Sequence, residues 1–153
     1  MDINFDVLTE KYLPEITNLF INAFNAAPWN DKWTKESAEK RLFQTMNFPD
    51  SFGLVAFEND ESKDKNKIAG FILGHKEYYC ETEEFVIKEF CVDKNIKGKG
   101  IGTKILQELE NHLKSEGIKE ITLMTLNSPA TEKFYEKCGY ETMENLIMMN
   151  KNL

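Results

Sequence analysis

Long apolar runs are absent from this chain, and none approaches the ~18 consecutive apolar residues that a membrane span needs. The opening Met1-Asp2-Ile3-Asn4-Phe5-Asp6 is acidic and lacks the basic start and apolar stretch of a secretory leader. A cytoplasmic location with no membrane partner is the expectation. Cysteine is scarce: Cys80, Cys91 and Cys138 are odd in number, widely spaced and without a CxxC pair, which argues against a disulfide framework. His75 and His112 are not spaced with them as metal ligands would be, so no metal is expected and the thiols read as reduced and mostly buried. Basic blocks are missing too. Net charge is −7 with the cations scattered, which argues against nucleic acid as a partner. An acidic surface suits a cationic substrate such as an amine. Arginine is nearly absent, Arg41 standing alone among the basic residues. The skew reads as codon bias, and it allows a lysine to stand where related proteins carry arginine.

What is present is ordinary for a globular protein: 153 residues, 41% hydrophobic and 29% charged, enough for one domain over 1–153 with a single core. Ile3 to Val7 reads as a first strand. Ile16, Leu19, Phe20, Ala23 and Phe24 recur at helical spacing and predict a helix to about Ala26, ended by Pro28. Pro28 to Trp33 reads as an exposed loop, and Thr34 as the N-cap of a second helix with Ser37 where a capping box prefers Glu. Phe52–Phe57 and Ile68–Gly74, extending towards Tyr79, read as strands around a solvated hairpin loop at Glu58 to Lys67. Glu81 to Glu84 reads as an acidic turn and Phe85–Val92 as a further strand. A helix with Ile105, Leu106, Leu109 and Leu113 on one face follows, stopped by Gly117. Ile118–Leu126 predicts a buried strand, Pro129–Lys137 a short helix and Tyr140–Met149 a last strand. The order β-α-α-β-β-β-α-β-α-β predicts an α/β (α+β) fold. Its single mixed, mostly antiparallel sheet has about six to seven strands, with helices on both faces.

The chemistry lies in Val92-Asp93-Lys94-Asn95-Ile96-Lys97-Gly98-Lys99-Gly100-Ile101-Gly102-Thr103, which leaves a strand and opens a helix. Glycines at 98, 100 and 102 permit conformations and close approaches that a Cβ would prevent. Several amides can then point into one concavity at a helix N-terminus, where the dipole also favours an anion. Such a loop suits a phosphate or pyrophosphate, although a purely structural turn fits about as well. It lacks P-loop and dinucleotide-fold spacing. It resembles the [Gln/Arg]-x-x-Gly-x-[Gly/Ala] motif of the GNAT acetyltransferases, with Lys97, Gly100 and Gly102 on its defined positions. A second segment, Asn127-Ser128-Pro129-Ala130-Thr131-Glu132-Lys133-Phe134-Tyr135-Glu136-Lys137-Cys138-Gly139-Tyr140, resembles that family's N-x-x-A-x-x-[hydrophobic]-Tyr-Glu-Lys-x-Gly-[Phe/Tyr] stretch. The resemblance covers roughly residues 50 to 145; the first fifty match in layout only.

The resemblance implies that Phe85–Val92 and Ile118–Leu126 splay apart around acetyl-CoA, the co-substrate. Lys97, Gly98, Lys99, Gly100, Ile101, Gly102 and Thr103 would cradle its pyrophosphate. Cys91 and Val92 would meet pantetheine through backbone groups, and Asn127 or Ser128 would touch the same arm. Tyr135 would protonate the departing thiolate, the alternative being a core tyrosine. Glu89, two residues before Cys91 and on the same face as Cys91 and Ile87 by strand alternation, is the candidate base. Desolvation among Phe85, Val86, Ile87 and Phe90 would raise its pKa, and a salt-bridge or recognition role is the competing reading. Trp29, Asp31 and Trp33 fall where the family lines its acceptor pocket and suit an ammonium ion, or else anchor their loop onto the core. His75 reads as structural, with a role through water as the alternative, and His112 as solvated. Met143, Met148 and Met149 are expected in the core or on a homodimer face. The expected function is acetyl-CoA-dependent N-acetylation of a primary amine on a small molecule. Alternatives are acetylation of a protein N-terminus or lysine, or a non-catalytic CoA-binding sensor.

Overall fold

A computed structural model describes residues 2–59 and 67–153. The hairpin loop expected at Glu58 to Lys67 lies mostly outside the described residues. Five strands form one sheet in the order β1 (Ile3–Val7), β2 (Ser51–Glu58), β3 (Lys67–Tyr79), β4 (Thr82–Val92) and β5 (Ile121–Leu123). The first four run antiparallel and β5 joins β4 in parallel. Among the described residues five strands replace the six to seven expected. The segment Tyr140–Met149 forms no strand, and β5 is shorter than Ile118–Leu126. Among the described residues neither stretch is paired along its length: β5 meets β4 over three residues only, and 140–149 joins no ladder.

Helices cover both faces. On one face lie α1 (Leu13–Phe24) and α2 (Lys35–Met46). Ile16, Phe20, Ala38 and Leu42 there meet Val55, Phe71, Leu73 and Cys91 of the sheet. On the other lies α3 (Ile101–Ser115), whose Ile105, Leu106, Leu109 and Leu113 meet Leu54, Ala56, Ile72 and Phe85. Phe134 and Tyr135 of α4 (Pro129–Lys137) pack against that second core. Each fully buried aliphatic side chain contributes roughly 1.5–3 kcal/mol.

Local signals explain the boundaries. Thr34 accepts from the Ser37 amide at 3.1 Å while Ser37 Oγ accepts from the Thr34 amide at 2.9 Å, so serine closes the capping box as Glu would. Gly117, at φ +83°, ends α3. The expected acidic turn is tighter: Cys80 and Glu81 make it, with Cys80 at φ +55°, and Thr82 already pairs with Tyr79. The methionines at 143, 148 and 149 are 49%, 80% and 82% exposed, which corrects the core reading. His112 is not simply solvated. It stacks flat on Phe52 with ring centroids 3.9 Å apart. His75 is buried, packed on Phe48 and bonded through Nε2 to Glu77 at 2.8 Å, away from the cleft described next. No helix among the described residues is long and apolar enough to cross a membrane.

Candidate active site

The site begins where the sheet opens. β4 and β5 pair only between Phe85–Ile87 and Ile121–Leu123. Beyond them the two chains part, and a cleft of about 690 Å³ lies between Lys88–Val92 on one side and Leu123–Thr125 on the other. A bulge in β4 marks the parting. Leu73 pairs with Glu89 but its neighbour Gly74 pairs with Ile87, leaving Lys88 as an extra residue. Only glycine fits at 74, since a Cβ there would stand 2.1 Å from the Val86 carbonyl oxygen. The bulge also corrects strict alternation. Ile87 belongs to the α3 core, whereas Cys91 belongs to the α1–α2 core and Glu89 meets α2. Glu89 thus shares a face with Cys91 but not with Ile87.

After β4, Asp93 accepts from the Asn95 amide at 2.9 Å and pairs with Lys67 at 2.5 Å, which fixes how the chain enters the glycine loop. Burial alone would raise the Asp93 carboxyl, but Lys67 and Asn95 hold it below the usual range. Gly98 and Gly100 sit at φ +83° and +76°, a region closed to most side chains. No atom lies within 4 Å of where a Cβ would project from either, so the loop borders open space. The first helical bond runs from the Lys104 amide to the Gly100 carbonyl at 3.1 Å. The earlier amides of α3 therefore have no intrahelical partner. Open space, freed amides and a helix N-terminus suit a pyrophosphate, and the neighbouring Lys97 lines the cleft. Gly102 has a different reason to be glycine, because a Cβ there would press on the Phe134 ring at 3.1 Å. Ile101 is buried beneath the turn, and the Thr103 hydroxyl lies 3.9 Å from Cys138 Sγ. Lys99 is exposed and is not part of the cleft wall.

Across the cleft, Tyr135 sits between Phe134 and Tyr140 in edge-on ring contacts of 5.1 and 5.6 Å. Burial pushes its phenol up to about 12, with a smaller contribution from Cys138. Ser128 is the N-cap of α4: its Oγ accepts from the Thr131 amide at 3.3 Å and donates to the Thr131 hydroxyl at 2.8 Å. Asn127 is exposed. Neither residue lines the cleft.

At the far end, Glu89 is only 7% exposed and accepts from Arg41 Nε at 2.6 Å. Burial raises its carboxyl, and the Arg41 guanidinium opposes that shift. Arg41 escaped the sequence reading. The available signal was its place three residues after Ala38 and beside Leu42, both fully buried, on the packed side of α2. Trp33 is anchored as much as presented. Its ring meets Phe20 at 5.1 Å, its indole N–H donates to Asp31 at 3.1 Å, and Asn25 holds its backbone at 2.8 and 2.9 Å. Trp29 rests edge-on against Phe24 at 5.3 Å. All three loop residues border the same cleft as Glu89, Tyr135 and the glycine loop.

Comparison with known proteins agrees with this fold. A glucosamine 6-phosphate N-acetyltransferase of Arabidopsis thaliana is 27% identical over 119 residues, 77% of this chain and 76% of that protein. The crystal structure of glucosamine-6-phosphate N-acetyltransferase from the same plant superposes with a TM-score of 0.69 at 22% identity, covering 99% of both chains. A possible acetyltransferase from Clostridium difficile 630 shares the fold at a TM-score of 0.80 and 14% identity, over 99% of this chain and 98% of that one. The family described as acetyltransferase (GNAT) matches residues 13–140, from the start of α1 to the end of the Tyr-bearing segment, and the chain belongs to that family as an N-acetyltransferase.

Proposed function

We propose that this enzyme transfers an acetyl group from acetyl-CoA to a primary amine on a small polar molecule, by direct attack of the amine. The observation that carries this reading is one continuous cleft bordered by the glycine loop, Tyr135 and the buried Glu89. Acetyl-CoA supplies the acyl group already activated as a thioester. The free amides at the start of α3, with Gly98 and Gly100, hold its pyrophosphate, and Lys97 adds one cation. Backbone groups of Cys91 and Val92, on the side of β4 that β5 has left, bond the pantetheine arm, and one of these amides polarises the thioester carbonyl.

Two proton movements complete the assignment. Glu89 accepts the proton of the incoming ammonium, with Oε1 held by Arg41 and the other oxygen left for the acceptor. Tyr135 keeps its proton at neutral pH and gives it to the departing sulfur. Trp29, Trp33 and Asp31 attract the ammonium form at the mouth by ring-face and charge interactions. Ser128 is occupied in capping α4 and takes no part; Asn127 and Lys99 lie off the cleft.

The test is a panel of amines with release of free CoA thiol as the readout. It should contain polyamines, aminoglycosides, amino acids, amino sugars including glucosamine 6-phosphate, and peptides with free N-termini or lysines. A small amine is expected to turn over far faster than acetyl-CoA hydrolyses alone. Turnover confined to peptides would replace the small-molecule reading with a protein acetyltransferase. CoA binding without any turnover would replace it with a sensor.

A further inference from the structure

Positive charge is left over where Arg41 meets Glu89. Arg41 uses only Nε on that carboxylate, at 2.6 Å, and its side chain stays 41% exposed where it borders the cleft. Among the described residues its terminal nitrogens donate to nothing. A guanidinium presents its N–H groups as a rigid planar fork, so an edge of that fork remains open beside Glu89. The glycine loop at the opposite end of the cleft already provides for a pyrophosphate, so Arg41 is surplus to that task.

A second cation reaches the same place by an independent route. Lys88 is the residue that the β4 bulge inserts. On a regular strand residues 88 and 89 would face opposite sides of the sheet, yet both border the cleft. Lys88 is half-buried and makes no hydrogen bond or ion pair among the described residues. After burial and Arg41, its charge is the next influence on the Glu89 carboxyl. The negative side is more fully engaged: Glu89 is paired with Arg41, and Asp31 accepts from the Trp33 indole at 3.1 Å. Arg41 and Lys88 thus balance Glu89 and Asp31. An acceptor with several positive charges would find no surplus of negative charge here.

We infer that Arg41 and Lys88 form an anion subsite beside Glu89, and that the acceptor is a small zwitterion, an amine with a carboxylate or phosphate a few bonds from its nitrogen. The inference rests on the acetyl-transfer reading above, which assigns the amine to Glu89. The oxygen of Glu89 that Arg41 does not hold takes the amine. The open edge of the guanidinium takes two oxygens of the anion in charge-assisted bonds, and Lys88 adds a point charge. One planar group then touches both the base and the anion, which keeps amine and anion close together. An α-amino acid meets that spacing through its carboxylate, and O-phosphoethanolamine through its phosphate. A polyamine offers nothing to the two cations.

The experiment compares matched acceptors that differ only in the anion: each common α-amino acid against its carboxamide, O-phosphoethanolamine against ethanolamine, and glucosamine 6-phosphate against glucosamine, with spermidine as a polycation. Release of CoA thiol gives kcat/KM, and calorimetry on the CoA-loaded protein gives affinity. The anionic member of at least one pair should be preferred about tenfold or more by both measures, and the pair that shows it tells carboxylate from phosphate. Arg41→Met should bring that ratio close to unity, because its effect through Glu89 falls on both members of a pair and cancels. Lys88→Gln leaves the bond between Arg41 and Glu89 in place and should lower the ratio several-fold through KM. Equal treatment of both members in every pair, a preference for spermidine, or a ratio that survives either substitution would overturn the subsite and leave acetyl transfer standing wherever thiol is released. Selective binding of anionic members with no thiol release from any acceptor would do the reverse, upholding the subsite and removing the acetyl-transfer reading.

Discussion

The two ends of the cleft are built by different means. The end at α3 is made of backbone: seven consecutive residues, Lys97 to Thr103, bring positive-φ glycines and unpaired helix amides to one place. The end at α2 is made of side chains gathered from afar, Arg41 from one helix, Glu89 from a bulged strand and Trp33 from the loop between α1 and α2. A backbone site depends on conformation and tolerates changes of side chain. A side-chain site depends on packing that fixes rotamers, and its charges depend on one another. Substitutions should therefore divide sharply between the two ends.

The largest effect is expected at the loop. Gly100→Val should abolish CoA binding, read by calorimetry, because the branched side chain enters open space beside the free amides and resists φ +76°. The same conformation costs a non-glycine residue ~1–2 kcal/mol, so thermal stability should fall modestly while the fold persists. Lys97→Ala removes an exposed cation and leaves every amide in place. It should weaken binding by no more than ~0.2–1 kcal/mol. Were Lys97→Ala to destroy binding while Gly100→Val did not, the end at α3 would also be a side-chain site and the contrast would vanish.

Tyr135→Phe comes next. Binding of CoA should stay near wild type while turnover falls about 10²–10⁴-fold, the usual loss for one general acid. Because burial pushes the phenol up to about 12, deprotonation of this residue should not cut the wild-type rate at neutral or mildly basic pH. An unchanged rate in Tyr135→Phe would reduce the residue to its ring contacts with Phe134 and Tyr140.

The same division governs what the sequence reveals. The glycine loop is legible because its conformation is encoded within a few residues, and α3 is legible from its 3.6-residue apolar stripe. Glu89 is visible as a carboxylate among apolar neighbours, but the bulge at Lys88 is not, since strand alternation carries no mark of an inserted residue. Arg41 escapes for a related reason: its partner is 48 residues away and only packing joins them. Gly102 carries two constraints that one motif cannot separate, the loop and the Phe134 ring. The segment 140–149 has the composition of a strand, yet composition cannot say whether a partner strand exists in the same chain.

The finest test of the contrast is Arg41→Met. The guanidinium lowers the Glu89 carboxyl against the upward pull of burial, so its removal should raise that carboxyl further. A base works only when ionised, so the acid limb of kcat/KM should move to higher pH. Activity below the limb should fall about tenfold for every pH unit it moves and recover as pH is raised. Arg41→Lys keeps the charge but loses the planar donor, and should move the limb less. The stability effect has a definite sign too. A carboxyl whose folded pKa lies above its unfolded value stabilises the fold while protonated, and that contribution is lost as pH rises through the folded value. The methionine variant should therefore lose thermal stability relative to wild type as pH increases, even where its activity recovers. A merely structural arginine predicts otherwise: a uniform loss of rate at every pH, with the limb unmoved. That outcome would leave Glu89 as a salt-bridge partner and place the base elsewhere in the cleft.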